Sequence, residues 1–162
     1  MKTVNVSLVG VGGQGIILTA DILAKTAAIA GMDVKKSEIH GMAQRGGSVT
    51  SQVRFGTSVA SPIIQEGTAD ILVSFDKVEA LRNSGILAKG GTALVNDLYL
   101  VPVTVSSGQQ KTPEDLDREL RAALESGAEY LAVHEIDSVV ADPAVFAVFR
   151  KYCASPSRED GR

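Results

Sequence analysis

Apolar and polar positions follow two different periods along this chain. Val4 to Val9 is a short apolar run, the length of a strand buried in a parallel sheet. From Gln14 to Ala30 the period becomes helical: Ile16, Ala20, Leu23 and Ala27 share a face, Asp21 and Lys25 lie four apart on a solvated one, and Gly31 is a stop. Asp33 to Ile39 alternates weakly and predicts a second strand, completing a β-α-β unit with a right-handed crossover. Ser48 to Phe55 alternates cleanly, with Val49, Ser51, Val53 and Phe55 against Ser48, Thr50, Gln52 and Arg54, which predicts a half-exposed strand. Gly56-Thr57 turns the chain, and Val59 to Ile64 is expected to pair back antiparallel, Pro62 marking an edge.

The second half repeats the alternation of strands and helices. Ala69 to Phe75 reads as a core strand, and Asp76 as the cap of a helix from Lys77 to Asn83. Gly85 and Lys89-Gly90-Gly91 are turn signals before a strand from Thr92 to Asn96, and Val101 to Val105 is a further extended stretch. Thr112-Pro113-Glu114-Asp115 is a helix start, so Pro113 to Ser126 is predicted helical, ending at Gly127. Tyr130 to Val133 is a strand, and Asp142-Pro143 begins a last helix that runs to about Tyr152. The reading is a single α/β domain over residues 1–153, three-layered and Rossmann-like, with a mainly parallel sheet and a small antiparallel insertion around residues 48–64. Residues 154–162 are polar and charged and are expected to be a disordered tail.

Composition narrows the functions open to such a domain. The chain has 162 residues, 44% of them hydrophobic, enough for one sizeable core. A net charge of -3 offers no electrostatic footprint for nucleic acid, and 4% aromatics without tryptophan offer no stacking platform. The lone cysteine, Cys153, rules out a disulfide framework and any cysteine-ligated zinc or iron–sulfur site built from this chain alone. Met1-Lys2-Thr3 passes straight into a strand, with no signal region, and no apolar run approaches the ~20 residues of a membrane span. A cytoplasmic protein with no membrane partner is the expectation.

Candidate chemistry concentrates in two loops. Gly10-Val11-Gly12-Gly13-Gln14-Gly15 joins the first strand to the first helix. Glycine permits positive φ and close approach to the backbone, and the N–H groups at a helix start can hold an anion such as phosphate. Gly10, Gly12 and Gly15 fit G-x-G-x-x-G loosely, Gly13 being extra, and a tight turn that binds nothing has the same pattern. His40-Gly41-Met42-Ala43-Gln44-Arg45-Gly46-Gly47-Ser48 has no strand or helix period, and its arginine can grip phosphate or carboxylate with two hydrogen bonds. Were the first two strands neighbours, both loops would face one crevice at the carboxyl end of the sheet. Glu38 and His40 could act as an acid–base pair or as ribose ligands, while Glu38 and Asp33 fit solvated surface carboxylates better than a dinucleotide fingerprint. His134-Glu135 lacks a second histidine for a metal site, and Ser106-Ser107-Gly108 lacks the nucleophile-elbow pattern. One anion-binding loop, one loop suited to a partner and no electron carrier together read as a subunit.

Taken together, Gly10 to Ile16, Ser37 to Val49 and Ser51 to Gly56 resemble the gamma-type component of the 2-oxoacid:ferredoxin oxidoreductases, nearest the branch acting on aryl-pyruvates such as indolepyruvate. Relatives acting on pyruvate usually carry a Tyr-Gly-Pro-Glu-type sequence where this chain has His40 to Gln44. Ser61-Pro62, Glu66-Gly67, Ala69-Asp70 and Gly90-Gly91-Thr92 fit as well, and the resemblance runs from Met1 to about Asp137. It implies oxidative decarboxylation of an aryl-pyruvate with coenzyme A to aryl-acetyl-CoA and carbon dioxide, reducing ferredoxin. It also implies a large alpha subunit that carries thiamine diphosphate and the iron–sulfur clusters, so that this chain holds no cofactor or metal of its own. Gly12, Gly13, Gln14 and Gly15 would form the anion-facing turn, and His40, Gln44, Arg45 and Ser48 would line the shared cleft, Arg45 holding coenzyme phosphate or substrate carboxylate. His40 and Arg45 are the candidates for a catalytic contribution. The C-terminal part departs from the pattern: Ala141-Asp142-Pro143 leads to a short helix and a charged tail, where family members continue with an Asn-containing segment and an apolar helix. Without that segment the domain would depend on a partner or form a homodimer. The alternatives are a gamma subunit for another 2-oxoacid and a stand-alone nucleotide-binding or regulatory module.

Overall fold

A computed structural model of the chain describes residues 2–40, 47–100, 115–124 and 129–133, for residues 40 and 129–133 as backbone alone. The elements run β1 (Val4–Val11), α1 (Ile16–Ile29), β2 (Asp33–His40), β3 (Ser48–Gly56), β4 (Ala69–Ser74), α2 (Lys77–Arg82), β5 (Leu87–Asn96), α3 (Leu116–Leu124) and β6 (Glu129–Val133). The strands form one six-stranded sheet in the order β2-β3-β1-β4-β5-β6. β1, β4, β5 and β6 are parallel, and β3 runs antiparallel to both β1 and β2.

The period-2 pattern of β1 sorts the two cores. Val4, Val6 and Leu8 meet Ile16, Ala20 and Ala27 of α1 on one face, with Val53, Phe55, Ile71 and Val73 from the neighbouring strands. On the other face Val9 joins Leu72, Ala93 and Val95 beneath Ala80 of α2 and Leu120 and Leu124 of α3. Phe55, Leu8 and Leu72 are each no more than 1% exposed, and full burial of such a side chain is worth about 1.5–3 kcal/mol. Helices on both faces of a largely parallel sheet are the three-layer α/β architecture expected.

Several expectations need correction. The antiparallel part is not a pendant hairpin over residues 48–64. β3 lies inside the sheet between β2 and β1, so the two strands of the expected β-α-β unit are not adjacent. With both edges of β3 paired, none is left for Val59 to Ile64, and residues 57–68 form no strand. The polar side chains of β3 bind that segment instead: Arg54 donates to the carbonyls of Ser61 (2.8 Å) and Ile63 (3.1 Å), and Gln52 Oε1 accepts from the Ile64 N–H (2.8 Å). Gln52 is therefore buried on the face expected to be wet, while Ser51, on the α1 face with Val49, Val53 and Phe55, is buried as its position implies and donates to the Ser37 carbonyl at 3.3 Å, so the clean alternation of β3 does not mark a half-exposed strand. Strand β5 also starts earlier than expected, at Leu87, its glycines Gly90 and Gly91 lying within it. The extended stretch at 101–105, the last helix at 142–152, Cys153, His134, Glu135 and the tail at 154–162 lie outside the described residues.

The chain leaves β1 for α1 on one face, and enters α2 and α3 on the other. The carboxyl ends of β1 and β4 therefore flank the topological switch point, where open α/β sheets hold their ligands.

Candidate functional site

At that switch point sits the glycine turn. Gly13 and Gly15 have φ of 105° and 86°, left-handed values that side chains strain to adopt, and Gly15 is the N-cap of α1. No side chain caps the helix and no acid lies in its first turn, so the positive end of its dipole is uncompensated. The N–H of Gly12 is engaged by the Gly47 carbonyl (2.9 Å) and that of Gln14 by the Val11 carbonyl (3.1 Å), whereas among the described residues no acceptor meets the N–H of Gly13 or Gly15.

Gln14 turns its amide toward the protein. Its Oε1 accepts from the Val11 N–H at 2.6 Å, and its Nε2 donates to the Phe75 carbonyl at 3.1 Å. That carbonyl, just past β4, also accepts from Asn96 Nδ2 of β5 at 3.3 Å, while Asn96 Oδ1 is buried without a partner among the described residues.

The second loop reaches the turn through its downstream end. β3 pairs Ser48 with Val11 and Val49 with Gly10, and the Gly47–Gly12 bond continues the ladder. β2 ends with His40 opposite the same Val49, so the His40 backbone lies about 10 Å from Gly10, two strand spacings away. Residues 40 and 47, which flank the second loop, thus lie at the same end of the sheet as the glycine turn although β1 and β2 are not neighbours. Gln44 and Arg45 lie outside the described residues.

A buried acid that the sequence reading passes over holds Ser48. Glu79 of α2 is 2% exposed, accepts from Ser48 Oγ at 2.6 Å and pairs with Arg82 at 2.7 Å. Asp76-Lys77-Val78-Glu79 has capping-box spacing, and Asp76 does cap α2, accepting from the N–H groups of Val78 and Glu79. Glu79, however, reaches across β1 to β3 rather than back to the cap. No local pattern signals that reach, because Ser48 lies 31 residues earlier. Ser48→Ala should lower stability by roughly 1.5 kcal/mol, the range for a hydrogen bond to a charged group. Urea unfolding of Ser48→Ala, Glu79→Gln and the pair would measure it, and full additivity would mean the bond carries no energy.

The acids of β2 turn to structural work. Asp33 accepts from Lys35 and from the Val59 N–H, each at 2.8 Å, and these bonds, the lysine's first, hold its carboxyl below the usual value. Asp21 is hydrogen-bonded to Lys36, which lowers its pKa, rather than depending on Lys25 alone, and Lys36 also bonds Glu38.

Residues 5–142 match the family described as pyruvate ferredoxin/flavodoxin oxidoreductase. The chain is 46% identical over 113 residues to an indolepyruvate oxidoreductase subunit IorB of Thermococcus kodakarensis, covering 70% of this chain and 56% of that protein. It is 44% identical over 110 residues to the subunit of the same name from Archaeoglobus fulgidus, covering 68% and 54%. The chain thus spans little more than half the length of these relatives. The fold is similar to pyruvate oxidoreductase subunit PORC from Thermotoga maritima, with a TM-score of 0.63 at 19% identity over 96% of this chain and 80% of that one. It is also similar to part of the 2-oxoglutarate:ferredoxin oxidoreductase of Magnetococcus marinus, with a TM-score of 0.53 at 17% identity over 93% of this chain and 30% of that one.

Proposed function

The chain belongs to the pyruvate ferredoxin/flavodoxin oxidoreductase family, and from that membership we propose that it is the non-thiamine subunit of an indolepyruvate, or more broadly aryl-pyruvate, ferredoxin oxidoreductase. The observation that carries this reading is the 46% identity to indolepyruvate oxidoreductase subunits. The turn at the switch point supports it, since it supplies a place for an anionic group without supplying redox chemistry. The thiamine diphosphate and iron–sulfur clusters of a large alpha subunit would supply decarboxylation and electron transfer to ferredoxin, with coenzyme A as acyl acceptor. This chain's own part is to close the shared cleft in a cytoplasmic complex. The N–H groups of Gly13 and Gly15 receive a phosphate or carboxylate oxygen, Ser48 and His40 border that position, and Gln44 and Arg45 complete it. No helix among the described residues is long and apolar enough to cross a membrane.

Co-expression with an alpha subunit carrying a thiamine motif and ferredoxin-type cysteines tests the reading. The complex should reduce ferredoxin with indolepyruvate and coenzyme A, and the isolated chain should not. Turnover by the chain alone, or a complex inert toward every aryl-pyruvate, would defeat it. A branched-chain oxoacid belongs in the panel, because a ketoisovalerate oxidoreductase subunit VorA of Methanothermobacter marburgensis is 32% identical over 94 residues. In the active complex Arg45→Ala should raise KM for coenzyme A or the oxoacid about tenfold, as expected for one charge-assisted contact. Unchanged kinetics would remove Arg45 from the cleft.

A further inference from the structure

We propose that Gln14 is a positioning residue, whose side-chain amide braces the glycine turn against the end of β4 and thereby sets the N–H groups that receive the ligand. The inference rests on the reading of that turn as ligand-facing. Its basis is the closed geometry of the amide. The carbonyl end accepts from Val11 N–H at 2.6 Å, inside the turn's own strand, and the amino end donates to the Phe75 carbonyl at 3.1 Å, across the switch point. Asn96 fixes the same carbonyl from β5 at 3.3 Å, so the brace links the ends of three parallel strands, β1, β4 and β5. Gly10 makes room for it: a Cβ there would stand 2.7 Å from Gln14 Oε1.

The brace falls between two glycines, which have no side chain of their own to pack. Gly13 and Gly15 have positive φ and, among the described residues, nothing within 4 Å of where a Cβ would be, while the Gly15 carbonyl is held by α1, accepting from the Thr19 N–H at 2.9 Å and from Thr19 Oγ1 at 3.1 Å. Glycine is also the residue with the widest backbone freedom. Gln14 therefore anchors the turn between two glycines whose N–H groups meet no acceptor among the described residues. A site that receives an anion on backbone N–H groups gains affinity from holding them in place beforehand. The side chain that does so need not touch the ligand.

Gln14→Met keeps the side chain's volume and removes both hydrogen bonds. Two measurements separate the possibilities. In the isolated chain without ligand, hydrogen exchange over residues 11–17 should quicken about tenfold, the factor one or two lost hydrogen bonds support. In the complex with the alpha subunit, KM for coenzyme A or the oxoacid should rise by about the same factor while kcat stays within about twofold. Gln14→Glu keeps an acceptor for Val11 but sets a carboxylate oxygen against the Phe75 carbonyl, acceptor against acceptor, so its exchange should quicken as well. A raised KM with unchanged exchange would mean that Gln14 contacts the ligand itself and would overturn the proposal, as would wild-type values in both. A wild-type complex without oxoacid-dependent ferredoxin reduction would defeat the functional reading alone, the exchange experiment still deciding the brace.

Discussion

Gly10→Ala should destabilise the protein by roughly 3 kcal/mol, at the upper end of what overpacking costs. The added Cβ would stand 2.7 Å from Gln14 Oε1, 2.9 Å from Phe75 Cβ and 3.0 Å from Ile16 Cδ1. The first and third are ends of side chains and could move. Moving Gln14 breaks its bonds to Val11 and Phe75, and moving Ile16 lifts a residue that is 2% exposed out of the α1 core. Phe75 Cβ is tied to the backbone of the strand end and cannot retreat without it. Gly13→Ala is the control, since its Cβ enters open space and meets only the strain of φ 105°, worth about 1–2 kcal/mol. Urea denaturation of the two variants should rank Gly10→Ala clearly below Gly13→Ala. Equal midpoints, or a loss under about 1 kcal/mol at Gly10, would show that the close approach is relieved cheaply.

This contrast between two glycines bears on what a reader of the sequence can recover. The apolar run before Gly10 and the helical period after Gly15 are local, and the strand, the helix and the turn between them follow from them directly. Asp76 is equally legible, because a cap needs only its own helix. The different roles of Gly10 and Gly13 are not legible, since one is decided by Phe75, far along the chain, and the other by backbone torsion alone. The place of β3 is hidden for a related reason. Its alternation is that of a strand with one wet face, yet Gln52 on that face is buried and accepts from the Ile64 N–H, a non-local event that periodicity does not encode. At the site itself, the glycines of the turn are readable from motif spacing, whereas a place for Ser48 beside them is implied by the family resemblance alone. The bonds that organise them, Gln14 to Phe75 and Ser48 to Glu79, span 61 and 31 residues, and only a folded sheet brings such partners together.

Asp76→Ala should cost about as much as the glycine substitution, for a different physical reason. The carboxylate is fully buried, and three backbone N–H groups lean on it: Val78 at 2.8 Å and Glu79 at 3.2 Å on one oxygen, Leu100 at 2.7 Å on the other. Losing a helix cap costs about 1 kcal/mol, and each buried donor left without an acceptor adds about 1 kcal/mol or more, for a total of roughly 3 kcal/mol. Asp76→Asn discriminates between the two contributions. Its remaining oxygen can still cap α2, but its amino group then faces the Leu100 N–H, donor against donor. Asparagine should therefore lie between wild type and alanine in thermal or urea unfolding, and an asparagine variant as stable as wild type would show that the Leu100 bond contributes nothing. The change should also reach the site. Asp76 follows the Phe75 carbonyl that holds Gln14 and begins the helix whose Glu79 holds Ser48. In the complex proposed above Asp76→Asn should therefore raise KM for the coenzyme or oxoacid together with its loss of stability, whereas an equally destabilising truncation in the α3 core, such as Leu124→Ala, should leave KM near the wild-type value.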